Sequence, residues 1–473
     1  MHHSRALLLC ATFVCHTAHA ALNDELTSLI EKRLPHANVG MMVMDAETGQ
    51  TVYHYHSDHY FRPASNVKLF TAAAALYSLG ANYTFNTEYA WQASHVQNGI
   101  LNGNLYVIAT GDPSLSFYQL NQMAKQLKQA GINSINGHII VDDYRFEGPA
   151  HGEGWSVEDL SWYFAPPISA ATLDENYLAL QVIPAKHSGG LVTGKVLSKT
   201  PQHLAVTSTA TAPTAAGYGQ DCDLKIDFNE TNAIHLSGCW PLVKNPGMMK
   251  AAIRNPLAYF QQGVMQSLKN AGIAVNGRVK HDVAPLPLSA QIVHRSAPLS
   301  ELLQPVLARS NNLYAENVAR AVGYQTMHHG SFSGAMNAFK SILAPKTGIN
   351  FAHLRLRDGS GASQHSLVTP EQFTKLLYSV YHSQAIRDDF MKAMAISGIQ
   401  GSIRHRMSKP PLAGKVFAKT GTLTGVANLS GYVKAQNGRT YIFSILTDHN
   451  INDTHVAKHV QDLLVERLAK TTG

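Results

Sequence analysis

The chain has 473 residues, of which 45% are hydrophobic and 15% are charged, with a formal net charge of +7. This length exceeds what one compact core serves, so we expect two or three domains of an ordinary globular protein. Lysine and arginine are scattered, and their densest cluster, 403–409, is too thin for a nucleic-acid arm. We therefore expect no nucleic-acid partner, and the basicity suits an anionic polymer or surface.

The first twenty residues have the pattern of a secretory signal peptide. Arg5 precedes an apolar run, 6–14, which is too short to cross a bilayer, and Ala18 and Ala20 form a small-x-small cleavage site. No later stretch of the sequence is apolar and long enough to cross a bilayer. We expect residues 1–20 to be removed and the mature protein to be exported.

Two cysteines remain after that cleavage. Cys10 and Cys15 lie inside the predicted signal peptide, whereas Cys222 and Cys239 lie in the mature chain. In an exported protein, such a pair favours one structural disulfide over a metal site or a pair of nucleophiles.

The mature chain begins with a predicted helix and a hairpin. Residues 24–34 carry leucine and isoleucine at helical spacing, and Pro35 ends the pattern. Two β-rich runs, 39–44 and 51–56, flank a turn that contains Gly49, which predicts a β-hairpin.

The next segment carries the first chemical motif. After Pro63, Ser65 occupies a position where a helix takes its N-cap, and Gly80 is placed to follow the C-terminus of that helix. Lys68 is three residues after Ser65, so a hydroxyl and an ammonium share one helix face. This S-x-x-K arrangement can supply a serine nucleophile and a lysine that takes its proton.

Residues 83–283 have a different sequence pattern, with short segments of alternating hydrophobic and polar residues broken by glycine, proline and asparagine. We interpret them as an inserted, mostly-β region. The Ser-, Thr-, Ala- and Gly-rich stretch 186–232 indicates a smaller module nested within it, and 257–271 is its clearest helix.

Helices dominate again towards the C-terminus, followed by a sheet and one last helix. The predicted helices are 299–308, 313–322, 333–343 and 456–468, and the predicted strands are 415–419, 429–434 and 440–447. The last helix is amphipathic, which favours packing on its own sheet, with peripheral membrane association as the alternative.

Two further motifs lie in these regions. Ser310 and Asn312 form an S-x-N pattern on a connection between two predicted helices. Lys419, Thr420 and Gly421 form K-T-G in an alternating β context, with a glycine where a ligand would need close backbone approach. The order S-x-x-K, S-x-N, K-T-G is what a penicillin-recognising acyltransferase requires.

Two copies of these patterns have the wrong context. The S-x-N of 134–136 lies in a Gly/Asn-rich turn before a strand, and the K-T-G of 346–348 follows Pro345 at the end of a helix. We predict that neither is catalytic.

With these motifs in order, the chain resembles the class C low-molecular-mass penicillin-binding proteins, of the penicillin-binding protein 4 type, which are D-alanyl-D-alanine carboxypeptidases and endopeptidases. The resemblance covers nearly the whole mature chain. It includes the segments 111–115, 141–146, 163–167, 358–361 and 419–425.

The resemblance implies an α+β fold: a penicilloyl-serine transferase (DD-peptidase/β-lactamase-like) catalytic domain, split in sequence by two inserted mostly-β domains. The implied boundaries are 21–82 with 286–473 for the catalytic domain, 83–183 with 246–285 for inserted domain II, and 184–245 for nested domain III.

It also implies roles for the motif residues. Ser65 would be the nucleophile, Lys68 its base, and Ser310 the group that returns the proton to the leaving amine. Asn312 would orient the substrate and hydrogen-bond Lys68. Burial of Lys68 and the nearby charge of Lys419 would both favour loss of its proton. The stretch Lys419, Thr420, Gly421, Thr422 would bind the terminal carboxylate, and the N–H groups of Ser65 and Thr422 would form an oxyanion hole.

A further substrate contact departs from the family pattern. Asp142 and Phe146 match the family's contacts to the amino end of a diaminopimelate side chain. The arginine that the family associates with the carboxylate of that side chain is replaced by Gln364. This departure removes the family's cation from that contact, and Gln364→Arg is expected to improve turnover of diaminopimelate-containing stems if that side chain is the substrate.

The implied partners are peptidoglycan stem peptides in the periplasm, with β-lactams as covalent inhibitors; the oligomeric state stays open. We expect no cofactor and no metal, because His455 and His459 have helical i, i+4 spacing but no third ligand. The alternatives are a β-lactamase or esterase of the same fold, and a non-catalytic cell-wall-binding protein.

Overall fold

The structure is a computed structural model that describes residues 22–197, 204–214, 222–450 and 454–471. The predicted signal peptide, 1–20, lies outside the described residues. The chain divides into two compact units. The first takes in the described residues of Met1–Asn82, Leu299–Met327 and Phe332–Gly473, and the second those of Tyr83–Pro298 and His328–Ser331.

Helices are numbered in chain order over the described residues. They are α1 22–33, α2 Lys68–Ser78, α3 Phe117–Gln129, α4 Pro256–Asn270, α5 Leu299–Leu307, α6 Asn312–Met327, α7 Phe332–Thr347, α8 Pro370–Tyr381, α9 Arg387–Ala393 and α10 Thr454–Ala469.

Strands are numbered in the same way. They are β1 Asn38–Asp45, β2 Thr51–Tyr55, β3 Asn86–Trp91, β4 Val96–Gln97, β5 Ile100–Leu101, β6 Leu105–Ala109, β7 Ser134–Ile135, β8 Ile139–Asp142, β9 Tyr177–Ile183, β10 Thr193–Val196, β11 Val206–Ser208, β12 Leu224–Phe228, β13 Ile234–Gly238, β14 Gly247–Ala252, β15 Ala274–Val275, β16 Val279–His281, β17 Ala290–Arg295, β18 Ala395–Ile396, β19 Val416–Leu423, β20 Val426–Lys434 and β21 Thr440–Asp448.

The first unit is built on a six-stranded antiparallel sheet in the order β18-β19-β20-β21-β1-β2. The central strand β20 is buried at every position except its last, as expected for a strand covered on both faces. The helices α1 and α10 pack on one face through Leu26, Ile30, Val460 and Leu464. Helix α8 contacts β1, β20 and β21.

Helix α2 lies among other helices of this unit, in contact with α5, α6, α7 and α8. Its four consecutive alanines, 72–75, are all buried, and their small side chains let the neighbouring helices approach closely. Gly80 follows the helix with a φ of +80°, so the predicted glycine at its C-terminus is confirmed.

The second unit is mixed α/β. Its sheets have the orders β16-β8-β6-β3-β17, β15-β7-β5-β4, β10-β9-β14 and β11-β13-β12. Helices α3 and α4 pack against each other, and Phe117, Leu120 and Tyr259 are part of the unit's core. The predicted hairpin of 39–56 and the predicted helix of 257–271 are confirmed, whereas α3, α8 and α9 are helices that the sequence analysis missed.

The second unit continues to Pro298, past the boundary predicted at 285, because β17 pairs with β3 along its length. The division into a catalytic domain and two inserted domains stays a prediction. Cys222 and Cys239 form a disulfide in this unit, as predicted. Within the described ranges, no helix combines the length and apolarity that a bilayer crossing requires.

Candidate active site

The nucleophile candidate lies just before α2 rather than at its N-cap. Ser65 is in a 3₁₀ turn, Ala64–Val67, and α2 begins at Lys68 with Val67 as its N-cap. The prediction of an N-cap serine was wrong, because Val67 has helical φ and ψ and the turn runs straight into the helix. Ala64 has a φ of +47°, a left-handed conformation that sets the direction of the turn.

Lys68 is completely buried and has three hydrogen-bond partners. Its Nζ is 2.9 Å from the Ser65 Oγ, 2.6 Å from the Asn312 Oδ1 and 2.6 Å from the carbonyl oxygen of Ser360. The amide and carbonyl oxygens can only accept, whereas the hydroxyl can also donate. A neutral Lys68 therefore keeps its two N–H groups on Asn312 and Ser360, and its lone pair faces the Ser65 hydroxyl.

Burial lowers the pKa of Lys68 to about 7, against the opposing pull of the carboxylates of Asp358 and Glu316. The predicted displacement of its proton by burial is therefore supported. Burial and, after it, the charge of Lys68 lower the pKa of Lys419 well below its usual range. The predicted effect of the Lys419 charge on Lys68 stays a prediction.

Ser310 and Asn312 are positioned by the connection between α5 and α6. Ser310 has a φ of +61°, in the left-handed region, and Asn312 is the first residue of α6. The backbone N–H of Asn311 donates to the carbonyl of Pro305, which ties the connection to α5. The motif is thus on a constrained turn, which presents both side chains at one helix end.

The K-T-G motif lies within β19. Lys419 is completely buried, and its Nζ donates to the Ser310 Oγ at 2.8 Å and to the Thr420 carbonyl at 2.7 Å. The Thr420 Oγ1 donates to the Oγ of Ser402 at 2.8 Å. Ser402 lies in no motif, so sequence reasoning missed it.

Gly421 is where β19 meets the nucleophile turn. A Cβ at this position would lie 2.9 Å from the Pro63 carbonyl oxygen and 3.1 Å from the Ala64 Cβ. The strand backbone and the Ser65 turn are therefore in direct contact. The close approach observed here is made by the protein's own chain, and the predicted approach of a ligand to Gly421 stays a prediction.

One edge of β19 is free of a strand partner within the described residues. β18 pairs only with Phe417 and Ala418, so no strand covers that side of Lys419–Leu423. An edge of this kind can pair with the main chain of an extended peptide, with the Lys419 and Ser65 side chains beside it.

Two buried carboxylates, Glu316 on α6 and Asp358 on a loop, act on the charge of Lys68. Asp358 and Glu316 are both fully buried, and Glu316 is one helical turn after Asn312, on the same face. Burial raises the pKa of Glu316 to about 7. Sequence reasoning missed Glu316, although its i, i+4 spacing from Asn312 was the signal that could have found it.

Asp142 and Phe146, which were predicted to contact the diaminopimelate side chain of a substrate, belong to the second unit. Asp142 ends β8, and its carboxylate accepts hydrogen bonds from the backbone N–H groups of Tyr144 and Ala284, at 3.2 and 2.9 Å. The ring of Phe146 covers Gly111, where a Cβ would lie 2.4 Å from it. Their role towards a substrate stays a prediction.

Gln364, in the position of the family arginine, has a cation beside it. An Nη of Arg62 donates to the Gln364 Oε1 at 2.7 Å, and the same guanidinium pairs with Asp448, with the Nε 3.0 Å from a carboxylate oxygen. Gln364 therefore lies beside Arg62, whose positive charge is paired with the carboxylate of Asp448.

The two copies of the motifs lie elsewhere. The S-x-N of 134–136 begins on β7 in the second unit. Lys346 and Thr347 form the end of α7, where the Lys346 Nζ lies 4.5 Å from the centre of the Tyr77 ring. No cluster of three or more His, Cys, Asp or Glu residues is placed to hold a metal in the part of the chain that the structure describes.

Comparison with known proteins gives one consistent family. The sequence model of the D-Ala-D-Ala carboxypeptidase 3 (S13) family matches residues 22–471. The chain is 32% identical over 427 residues to the D-alanyl-D-alanine carboxypeptidase DacB of Haemophilus influenzae, which covers 89% of this chain and 87% of that protein.

Solved structures agree with the sequence match. The crystal structure of penicillin binding protein 4 from Haemophilus influenzae aligns with a TM-score of 0.87 at 30% identity, over 94% of this chain and 99% of that chain. The same protein complexed with a β-lactam aligns with a TM-score of 0.82 at 29% identity, over the same shares of the two chains. The predicted family is confirmed. Of the predicted α+β fold, the mixture of helices and sheets and the likeness to a penicillin-binding protein are confirmed, whereas the split into domains stays a prediction.

Proposed function

The chain belongs to the D-Ala-D-Ala carboxypeptidase 3 (S13) family, and on this premise we propose how its active site works and on what it acts. Membership makes it a serine-type D-Ala-D-Ala carboxypeptidase, a penicillin-binding hydrolase. The proposal concerns the role of each residue, the natural substrate and its location.

Acylation begins with neutral Lys68. Its Nζ takes the proton of the Ser65 hydroxyl as the Oγ attacks the carbonyl carbon of the penultimate D-Ala. The observation that carries this assignment is the buried Lys68 amine, 2.9 Å from the Ser65 Oγ, with its other contacts made to obligate acceptors. A pKa of about 7 makes the base available at neutral pH.

Breakdown of the tetrahedral intermediate requires a proton on the leaving amine. The C–N bond breaks, and the hydroxyl of Ser310 passes a proton from Lys68 to the nitrogen of the departing D-Ala. The contact between Ser310 and Lys419 holds that hydroxyl in place. Water then attacks the ester carbonyl while Lys68 takes one of its protons. The bond to the Ser65 Oγ breaks, Lys68 returns that proton to the Oγ, and the shortened stem leaves as its carboxylic acid.

The terminal carboxylate and the oxyanion are bound by β19 and the nucleophile turn. Lys419 and Thr420 bind the carboxylate, and the substrate main chain lies along the unpaired edge of β19. The backbone N–H groups of Ser65 and Thr422 form the oxyanion hole, an interaction worth about 3–4 kcal/mol in other acyl transferases.

The substrate that we propose is the peptide stem of peptidoglycan. A pentapeptide stem offers the D-Ala-D-Ala bond, and a D,D-cross-link offers a similar bond to an amino group, so the same site could also act as an endopeptidase. Asp142 and Phe146 contact the side chain at stem position three. Residues 1–20 direct export to the periplasm, where both stems and β-lactams are present.

The proposed catalytic domain is the first unit, and domains II and III are insertions that belong to the second. The proposal is supported by the position of every catalytic candidate in the first unit: Ser65, Lys68, Ser310, Asn312 and 419–422.

Digestion of purified muropeptides tests the proposal. Monomeric pentapeptide and D,D-cross-linked dimer are incubated with wild type, Ser65→Ala and, as a matched control in the non-catalytic S-x-N copy, Ser134→Ala. Mass spectrometry should show loss of one D-Ala from the pentapeptide with wild type and Ser134→Ala only. Cleavage of the dimer would add the endopeptidase.

A fluorescent penicillin separates the alternatives. Ser65-dependent labelling that persists for minutes supports the carboxypeptidase, whereas a label shed within seconds would favour a β-lactamase. Absence of labelling would favour a non-catalytic wall-binding protein. Labelled protein that leaves both muropeptides intact would refute the substrate assignment alone.

A further inference from the structure

The carboxylate of Glu316 binds the backbone segment that the Lys68 amine also contacts. The Glu316 Oε2 accepts the N–H of Gly359 at 3.0 Å, and its Oε1 accepts the N–H of Ser360 at 2.7 Å. Glu316 is fully buried on α6, one turn after Asn312. One carboxylate thus occupies two adjacent peptide N–H groups of a single turn.

The carbonyl groups of the same two residues are held from α2. The Ser360 carbonyl accepts from the Lys68 Nζ at 2.6 Å, and the Gly359 carbonyl accepts from the Thr71 Oγ1 at 2.6 Å. The turn of 358–361 is therefore held between two helices, with its N–H groups on α6 and its carbonyls on α2. Movement of the N–H groups would move the Ser360 carbonyl as well.

The turn has little freedom to relocate. A Cβ at Gly359 would lie 2.4 Å from the Ala319 Cβ, and a Cβ at Gly361 would lie 1.8 Å from the Ala64 carbonyl oxygen. Gly361 also has a φ of +80°. The turn is wedged between α6 and the nucleophile turn, so its position sets the direction in which the Lys68 amine points.

We propose that Glu316 is a positioning residue for the lysine base: by holding the N–H groups of Gly359 and Ser360, its carboxylate fixes the Ser360 carbonyl that directs the Lys68 amine towards Ser65. This inference rests on the proposed function, in which Ser65 is the nucleophile and Lys68 its base. It assigns to α6 a second contribution to the site beyond Asn312.

The charged groups around Lys68 and Glu316 should make the effect of Glu316 on acylation depend on pH. Lys68 faces the carboxylates of Asp358 and Glu316 and the amine of Lys419, and Glu316 itself faces Asp358 and the Arg320 guanidinium. The Glu316 charge raises the pKa of Lys68 against the effect of burial. Because burial raises the pKa of Glu316 itself to about 7, this charge acts on Lys68 mainly above that pH. Its removal should therefore lower the pKa of Lys68, and the base should stay neutral at more acidic pH.

The test is the second-order rate constant for acylation of Ser65 by a chromogenic β-lactam between pH 5 and 9. In Glu316→Gln the amide can accept from only one of the two N–H groups, because its NH₂ group faces the other. We expect at least a tenfold loss at pH 8 and an acid limb displaced by about one pH unit towards acid.

Thr71→Val is the matched control, because it removes a hydrogen bond to the same turn without changing charge. It should slow acylation without displacing the acid limb. A Glu316→Gln profile within twofold of wild type, or one whose limb coincides with that of Thr71→Val, would overturn the inference.

Glu316→Asp keeps the test decisive if the glutamine variant shows no cooperative thermal unfolding. It retains the charge but withdraws the carboxylate from the turn, so the rate should fall while the acid limb stays at the wild-type pH; an unchanged rate would overturn the inference. Wild type that is not acylated at all would instead refute the proposed function, together with the inference that rests on it.

Discussion

Lys68 has the chemistry of a base because of where it lies. Its amine is buried at the start of α2, and burial is the first cause of its lowered pKa. Two carboxylates oppose that effect, so the value settles at about 7 rather than lower. The residue is thus balanced close to the pH at which the enzyme must work.

Acylation by a β-lactam should follow this balance. Below pH 7 the rate constant should fall about tenfold per pH unit, because the protonated lysine cannot take the Ser65 proton, and above pH 7 it should level. Lys68→Arg should lose at least a hundredfold at every pH, since a guanidinium stays protonated. Stopped-flow acylation between pH 5 and 9 measures both.

Lys346→Arg is the control for that experiment, because Lys346 belongs to the other K-T-G copy and lies over the Tyr77 ring. Its profile should match that of wild type. A wild-type rate that is independent of pH down to 5 would mean that Lys68 is not the titrating base.

The pair of Arg62 and Gln364 changes what an arginine at position 364 would do. An Nη of Arg62 now donates to the Gln364 Oε1, and a second guanidinium would lose that acceptor and add repulsion. A substrate carboxylate between the two cations would relieve the repulsion. The variant should therefore be less stable when free and should bind an anionic side chain more tightly.

Gln364→Arg should raise kcat/KM about fivefold for stems with diaminopimelate at position three, the equivalent of about 1 kcal/mol for a partly exposed charge pair. Stems with lysine there lack the side-chain carboxylate and should gain nothing. Steady-state release of D-Ala from the two stems measures this. An equal change on both would show that position 364 does not read that carboxylate.

At the scale of elements, the site depends on how closely β19 approaches the turn of Ala64–Val67. The approach is possible because residue 421 has no side chain. Gly421→Ala would place a methyl group 2.9 Å from the Pro63 carbonyl oxygen, so the strand or the turn must shift. Either shift separates Lys419 from Ser65.

We expect Gly421→Ala to reduce β-lactam acylation at least tenfold, because a displacement of a few tenths of an ångström spoils a positioned attack. The thermal midpoint should fall by only a few degrees, since most of β19 keeps its ladder with β20. Acylation kinetics and thermal unfolding of the same preparation separate the two effects. Full activity would show that the turn adjusts without cost.

Elements with a strong period or a clear turn were predictable from the sequence. The hairpin β1–β2, helix α4 and helix α10 came from such patterns. Helix α8 was missed even though its start is marked by Pro370 and by a capping box between Thr369 and Gln372. Helix α3 was missed because its surroundings are short strands and turns, and its pattern was interpreted as part of a mostly-β insertion.

At the scale of the whole molecule, four distant segments supply the candidate site: 65–68, 310–312, 358–360 and 419–422. The three motifs could be predicted because residue type and spacing carry their chemistry. The spacing of Glu316 from Asn312 could have placed it near the site, but its role depends on contacts with Gly359 and Ser360, which are 43 and 44 residues further along the chain. Ser402 is a similar case, since it lies in a 3₁₀ turn and its contact with Thr420 of β19 exists only in the folded protein.

The disulfide and the catalytic groups belong to different compact units. Cys222 and Cys239 are 17 residues apart, and a bridge over such a loop stabilises a fold by about 3 kcal/mol in the chain-entropy account. The nucleophile, the base and the carboxylate-binding residues all lie in the first unit. Loss of the bridge should therefore change the stability of the second unit and not the chemistry of the first.

A double variant, Cys222→Ser with Cys239→Ser, tests this division. We expect its second unit to unfold about 5–10 °C earlier, while β-lactam acylation of Ser65 stays within twofold of wild type. Differential scanning calorimetry and acylation kinetics measure the two quantities. Wild type treated with a reductant should behave as the double variant, and the double variant should not respond to the reductant. A large loss of acylation in a folded variant would contradict the assignment of the active site to the first unit.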